Sequence, residues 1–130
     1  MNGGIQRQAG NGDLMSRTKE FALRVLRVYE SLPKSVAAQV LGRQVLRSGA
    51  SVGAHYREAS RARSTAEFIS KLEVGLQELE ESGYWLELLI DGGFVPQARL
   101  ADLLNEACQL AAMMTASAKT VKAKRRTTQR

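Results

Sequence analysis

Three short breaks divide an otherwise continuous helical pattern, and they restrict the chain to a bundle of four segments. The first is Leu32-Pro33-Lys34, because the residue before a proline disfavours the α region. The second is Ser64-Thr65-Ala66-Glu67, a capping box in which Ser64 accepts the Glu67 amide and Glu67 reaches back to the Ser64 amide. The third runs from Gly92-Gly93 to Pro96. Glycine takes the left-handed conformation after a helix, and proline suits the first turn of the next.

Between the breaks, apolar residues keep α-helical spacing. Phe21, Val25, Val28 and Leu32 share a face over about residues 16–31. Ser35 offers an N-cap hydroxyl for a second helix to about residue 61, whose apolar face is Leu41, Val45, Val52, Tyr56 and Ala59. Phe68, Leu72, Leu79, Leu86 and Ile90 mark the third, and Leu100, Leu103, Ala107, Leu110, Met114 and Ala118 the fourth. Gly42, Gly49 and Gly53 form a strip beside the second face. Glycine inside a helix costs about 0.5–1 kcal/mol relative to alanine, so the strip predicts close approach of another helix; a local bend is the alternative. No segment alternates as a strand does. The expected fold is an all-α, antiparallel up-down-up-down four-helix bundle over residues 16–118. A flexible leader covers 1–15 and a basic tail 119–130.

At 130 residues the chain is one domain by length. No signal-peptide leader occurs, and no run of about 18 apolar residues spans a membrane. The expected location is the cytoplasm, which the single cysteine fits.

Charge is sorted along the chain. Residues 1–63 carry 11 basic and 4 acidic side chains, residues 64–118 carry 2 and 9, and residues 119–130 carry 6 and none. On a helical wheel, Arg43, Arg47, Arg57 and Arg61 form one sector of the second helix, with Ala50 and Ala54 in the same column. Glu73, Glu80, Glu87 and Asp91 form one sector of the third, with Gln77 and Tyr84 between them. Three readings are open. Both stripes are solvated, as exposed pairs contribute only about 0–1 kcal/mol; they pair within the chain; or the arginines of one copy meet the acids of the next, a heterologous contact that can close into a ring. Tyr84 and Trp85 beside the acidic column are interface anchors or packing residues. Lys119, Lys122, Lys124, Arg125, Arg126 and Arg130 either solubilise the end or contact phosphates with little sequence preference.

The residues offer little for catalysis. A di-iron bundle needs inward Glu-x-x-His motifs; this chain has one histidine, in the reverse order His55-Tyr56-Arg57-Glu58. No metal or cofactor set is expected. Cys108, between Ala107 and Leu110, reads as an inert thiol in the core. No phosphate-binding loop or nucleophile elbow occurs. An enzyme is not expected.

The run Gln39-Val40-Leu41-Gly42-Arg43-Gln44-Val45-Leu46-Arg47-Ser48-Gly49-Ala50-Ser51-Val52-Gly53-Ala54 resembles the second helix of the bacterial four-helix bundle proteins, the large-subunit rRNA intervening-sequence proteins. Ser64-Thr65-Ala66-Glu67-Phe68-Ile69-Ser70-Lys71-Leu72 and Glu78-Leu79-Glu80-Glu81-Ser82-Gly83-Tyr84-Trp85-Leu86 extend the likeness. One departure is His55, where members commonly carry asparagine. The resemblance implies cytosolic homopentamers without enzymatic activity. It also implies kinship with the accessory variability determinant of diversity-generating retroelements, a basic pentameric barrel that binds a reverse transcriptase and nucleic acid. The expected partners are therefore further copies of the chain, with RNA or DNA as a second possibility.

Overall fold

The structure, a computed structural model, describes residues 11–129, with side chains over 14–127. Residues 1–10 of the expected leader and Arg130 of the basic tail lie outside the described residues. Four helices follow one another: α1 Asn11–Glu30, α2 Val36–Ser60, α3 Thr65–Asp91 and α4 Gln97–Gln129. Each packs on the next, α2 on α3 most extensively, and α1 meets α4 along a sparser seam. The all-α four-helix bundle is the one the spacing predicts.

The breaks act as their chemistry requires, with one exchange of partner. Ser35 Oγ accepts the Ala38 amide and Ser64 Oγ accepts the Glu67 amide. The Glu67 carboxylate takes the Arg63 amide at 3.1 Å, where the sequence reading expects the Ser64 amide. At the end of α3, Gly93 has a φ of +81°. The Phe94 amide donates to the Leu89 carbonyl and the Gly93 amide to that of Ile90. This pair of bonds is a Schellman motif.

The core follows the periodic residues. Phe21, Val45, Val52, Leu86, Leu100, Leu110 and Met114 are fully enclosed. Val28, Leu41, Phe68 and Ile90 sit half-buried on its flanks. The glycine strip of α2 faces α1: a methyl added at Gly49 would lie 3.0 Å from Val25 Cγ2, and one at Gly53 3.1 Å from Thr18 Oγ1. Close approach, not a bend, is what the strip serves. Between α2 and α3, the buried Ser82 and Ser48 hydroxyls lie 2.8 Å apart, and Ser48 donates to the Gln44 carbonyl.

Two helix ends extend beyond their sequence-based bounds. α1 begins at Asn11, within the stretch read as leader. Leu14 stands two turns before Phe21 on the same face and is buried, which holds this turn to the bundle. The basic stretch, read as a tail, continues α4 to Gln129. Lysine, arginine and alanine are good helix formers, no glycine or proline intervenes, and cations suit a helix C-terminus.

The α1–α4 seam is closed by a side chain whose role the sequence reading does not assign. Arg17 binds Glu106 through two bonds, Nε–Oε2 at 3.0 Å and Nη2–Oε1 at 2.8 Å, and also reaches Gln109. Both side chains are mostly covered, at 27% and 19% exposure. Arg17→Met removes a charge-assisted fork and leaves Glu106 half-buried. The expected cost is about 1–2 kcal/mol, between an exposed pair and a fully charged buried bond. Hydrogen exchange should show α1 amides losing protection before those of α2 and α3; uniform loss across all four helices would contradict a local seam.

Candidate assembly surface

The cationic stripe forms the outer ridge of α2. Arg43, Arg47, Arg57 and Arg61 are all exposed, with exposed Ala50 and Ala54 between them. Arg47 is tied down within the chain: Nη1 lies 3.2 Å from Glu78 Oε1, Nη2 contacts Glu81 Oε2, and Nε donates to Gln44 Oε1. Arg43, Arg57 and Arg61 make no ion pair among the described residues. Arg57 and Arg61 border a cleft of about 480 Å³ at the α2–α3 corner, with Arg63 and Lys71 and the acids Glu58 and Glu67. Here a hydrogen bond with the His55 ring, at 3.0 Å, holds the Glu58 carboxyl below the ordinary carboxylate range, and Lys71 at 3.6 Å adds attraction.

The anionic stripe lies on the other flank of α3. The side of α3 that meets α2 is lined by Lys71, Gly75, Glu78 and Ser82, through Glu58, Val52, Arg47 and Ser48. The stripe acids turn toward α4 instead. Glu73 pairs with Lys122 at 2.8 Å. Glu80 and Glu87 rim a groove of about 400 Å³ between α3 and α4. Glu80, Glu87 and Asp91 are exposed and make no ion pair among the described residues. Pairing within the chain is thus real for Arg47, but with Glu78 and Glu81, and the two stripes point away from each other.

The two aromatics divide. Tyr84 is 54% exposed and stands on the groove. Trp85 packs against the core, meets Tyr84 edge-on at 5.2 Å between ring centres, and donates Nε1–H to Glu81 at 2.8 Å. One residue corrects the sequence reading: Cys108 is exposed, not a core thiol. Ala107 holds the inward position, and the next residue is turned by about 100° onto the groove. Leu104, Cys108 and Ala111 form an apolar flank beside the buried face of α4. Their i, i+4, i+7 spacing was the available signal, a stripe wider than one neighbour needs.

The basic stretch runs along the last turns of α4. Lys119, Lys124 and Arg126 are exposed, while Lys122 and Arg125 are partly covered. Val121 borders one cleft with Ala62, Arg63, Ser64 and Phe68, which brings this stretch to the same bundle end as the basic α2–α3 corner. Among the described residues no group of three or more His, Cys, Asp and Glu side chains is placed to hold a metal ion, and no helix is long and apolar enough to cross a membrane.

Known proteins share this architecture. The model of the family described as 23S rRNA-intervening sequence protein matches residues 11–116. A crystal structure of a protein of unknown function from the S23 ribosomal protein family of Bacteroides thetaiotaomicron VPI-5482 is similar to this chain at 34% identity. The likeness covers 85% of this chain and 98% of that one, with a TM-score of 0.80. No curated protein matches the chain. With the family match extending from the first turn of α1 almost to the basic end of α4, this chain belongs to the 23S rRNA-intervening sequence protein family.

Proposed function

We propose that the protein is a non-catalytic assembly module whose bundles join through the α2 ridge and the acidic edge of α3 into a closed ring. The resemblance to pentameric relatives implies five copies. One observation carries the reading: the opposite stripes lie on separate outer flanks, and Arg43, Arg57, Arg61, Glu80, Glu87 and Asp91 have no ion-pair partner within the chain among the described residues. A surface with unlike edges meets its copies head to tail, which closes a ring when the rotation permits. The test is the mass of the full chain by light scattering across a salt series. A multiple of 14.3 kDa that falls as salt screens the edges is the expected outcome. The 14.3 kDa protomer at every salt concentration would refute it.

A second reading rests on the basic end of the bundle. Arg57, Arg61, Arg63 and Lys71 gather near the α4 stretch that carries Lys119, Lys122, Lys124, Arg125 and Arg126. Such an end suits an RNA or DNA backbone, as in an accessory factor that works with a reverse-transcriptase-like partner. The family description itself refers to 23S rRNA. Fluorescence anisotropy with a labelled single-stranded RNA should give an affinity that falls with salt, with log K losing about 0.7 per phosphate contact for each decade of salt. Deleting residues 119–130 should flatten that slope. Binding untouched by the deletion would acquit the α4 stretch.

A further inference from the structure

The α3–α4 groove has a chemistry that neither stripe explains. Its floor is apolar, from Leu79, Leu104, Ala107 and Ala111, and Gly83 leaves the α3 wall without a side chain at mid-length. Its rim is acidic, from Glu80 and Glu87, with Tyr84 standing above it. A floor of this kind takes a smooth apolar surface, and a rim of this kind takes cations at either end of it.

The α2 ridge has that form. Exposed Ala50 and Ala54 make a smooth centre, with Arg43 and Arg47 on one side and Arg57 and Arg61 on the other. The spacings also agree. Arg43 and Arg57 are 14 residues apart, as are Glu73 and Glu87, and 14 residues span about 21 Å along a helix. Laid antiparallel, Arg43 meets Glu87 and Arg57 meets Glu73 beside its Lys122 pair, and Ala50 falls opposite Glu80, within a turn of the wall that Gly83 leaves open. Within one chain this docking is closed off, because α2 and α4 are diagonal in the bundle.

We propose that the α3–α4 groove of one copy seats the α2 ridge of the next, with Ala50 over its apolar floor and Cys108 enclosed in the contact. The proposal rests on the assembly reading above and assigns the α4 wall, including Cys108, to the contact. Charge selects the partner and its direction, and burial of Ala50 against the apolar floor holds it.

The test uses the full chain. In Ala50→Cys, oxidation with copper–phenanthroline should join the new thiol to Cys108 of a neighbour. A ladder of chains linked between copies should appear on a non-reducing denaturing gel. Ser16→Cys, on the outer face of α1, should give none. In the unsubstituted protein, Cys108 should react with a maleimide about tenfold or more slowly in the assembly than in an Arg43→Glu/Arg57→Glu protomer, because it reacts only from an opened contact. An assembled mass with fast Cys108 labelling and no ladder would overturn the groove as the contact while assembly stands. A protomer mass for the unsubstituted protein would overturn both.

Discussion

Arg43→Glu combined with Arg57→Glu is expected to reduce the assembly to 14.3 kDa protomers while the helices stay formed. Both arginines are exposed, and neither makes an ion pair within the chain among the described residues. Surface changes of this kind usually alter fold stability by no more than about 0.5 kcal/mol. At the proposed contact they set two glutamates against Glu73 and Glu87, and like charges at an interface cost several kcal/mol. Every about 1.4 kcal/mol is a tenfold change in affinity, and in a ring the penalty recurs at each contact. Light scattering reads the mass and far-UV circular dichroism reads the helices. Adding Glu87→Arg, which leaves the Glu73–Lys122 pair of the protomer intact, should recover mass by exchanging the signs at the Arg43 end. Arg47→Glu is the less clean experiment, because it also breaks the Glu78 and Glu81 contacts inside the protomer. An unchanged mass in the double variant would remove the ridge from the contact.

Phe21→Ala should cost about 3–5 kcal/mol of fold stability, the loss typical of an enclosed aromatic that leaves a cavity. Phe21 is fully buried in the shared core at 0% exposure. Against a total of about 5–15 kcal/mol for a domain, such a loss removes much of the margin. Leu23→Ala, two residues along and 38% exposed, should cost little by comparison. Chemical denaturation at one fixed protein concentration compares them, since assembly adds a concentration-dependent contribution. Equal losses for the two variants would contradict this orientation of α1.

The bundle was legible because its breaks are chemical and local. Pro33, the Ser64 cap and Gly93 each dictate a conformation from their own atoms and nearest neighbours, and the apolar period then names the inner face. The helix ends were less legible. Leu14 belongs to the core only because other helices surround it, and the basic end of α4 has no residue that stops a helix. The candidate site was legible as sectors but not as directions. A wheel groups Arg43 with Arg57 and Glu80 with Glu87, yet it does not say which neighbour each sector faces. Glu78 and Glu81 meet Arg47 while Glu80 turns to α4, although these residues are nearly adjacent in sequence. A step of about 100° per residue separates such fates. The same step parts Tyr84 from Trp85, and it moves Cys108 out of the core position that Ala107 fills.

Light scattering on the full, unsubstituted chain at low salt decides whether the unlike edges meet on sister copies, as proposed. A single species of about five times 14.3 kDa that loses mass as salt rises is the expected result. A lone 14.3 kDa species at low salt and high protein concentration would contradict it.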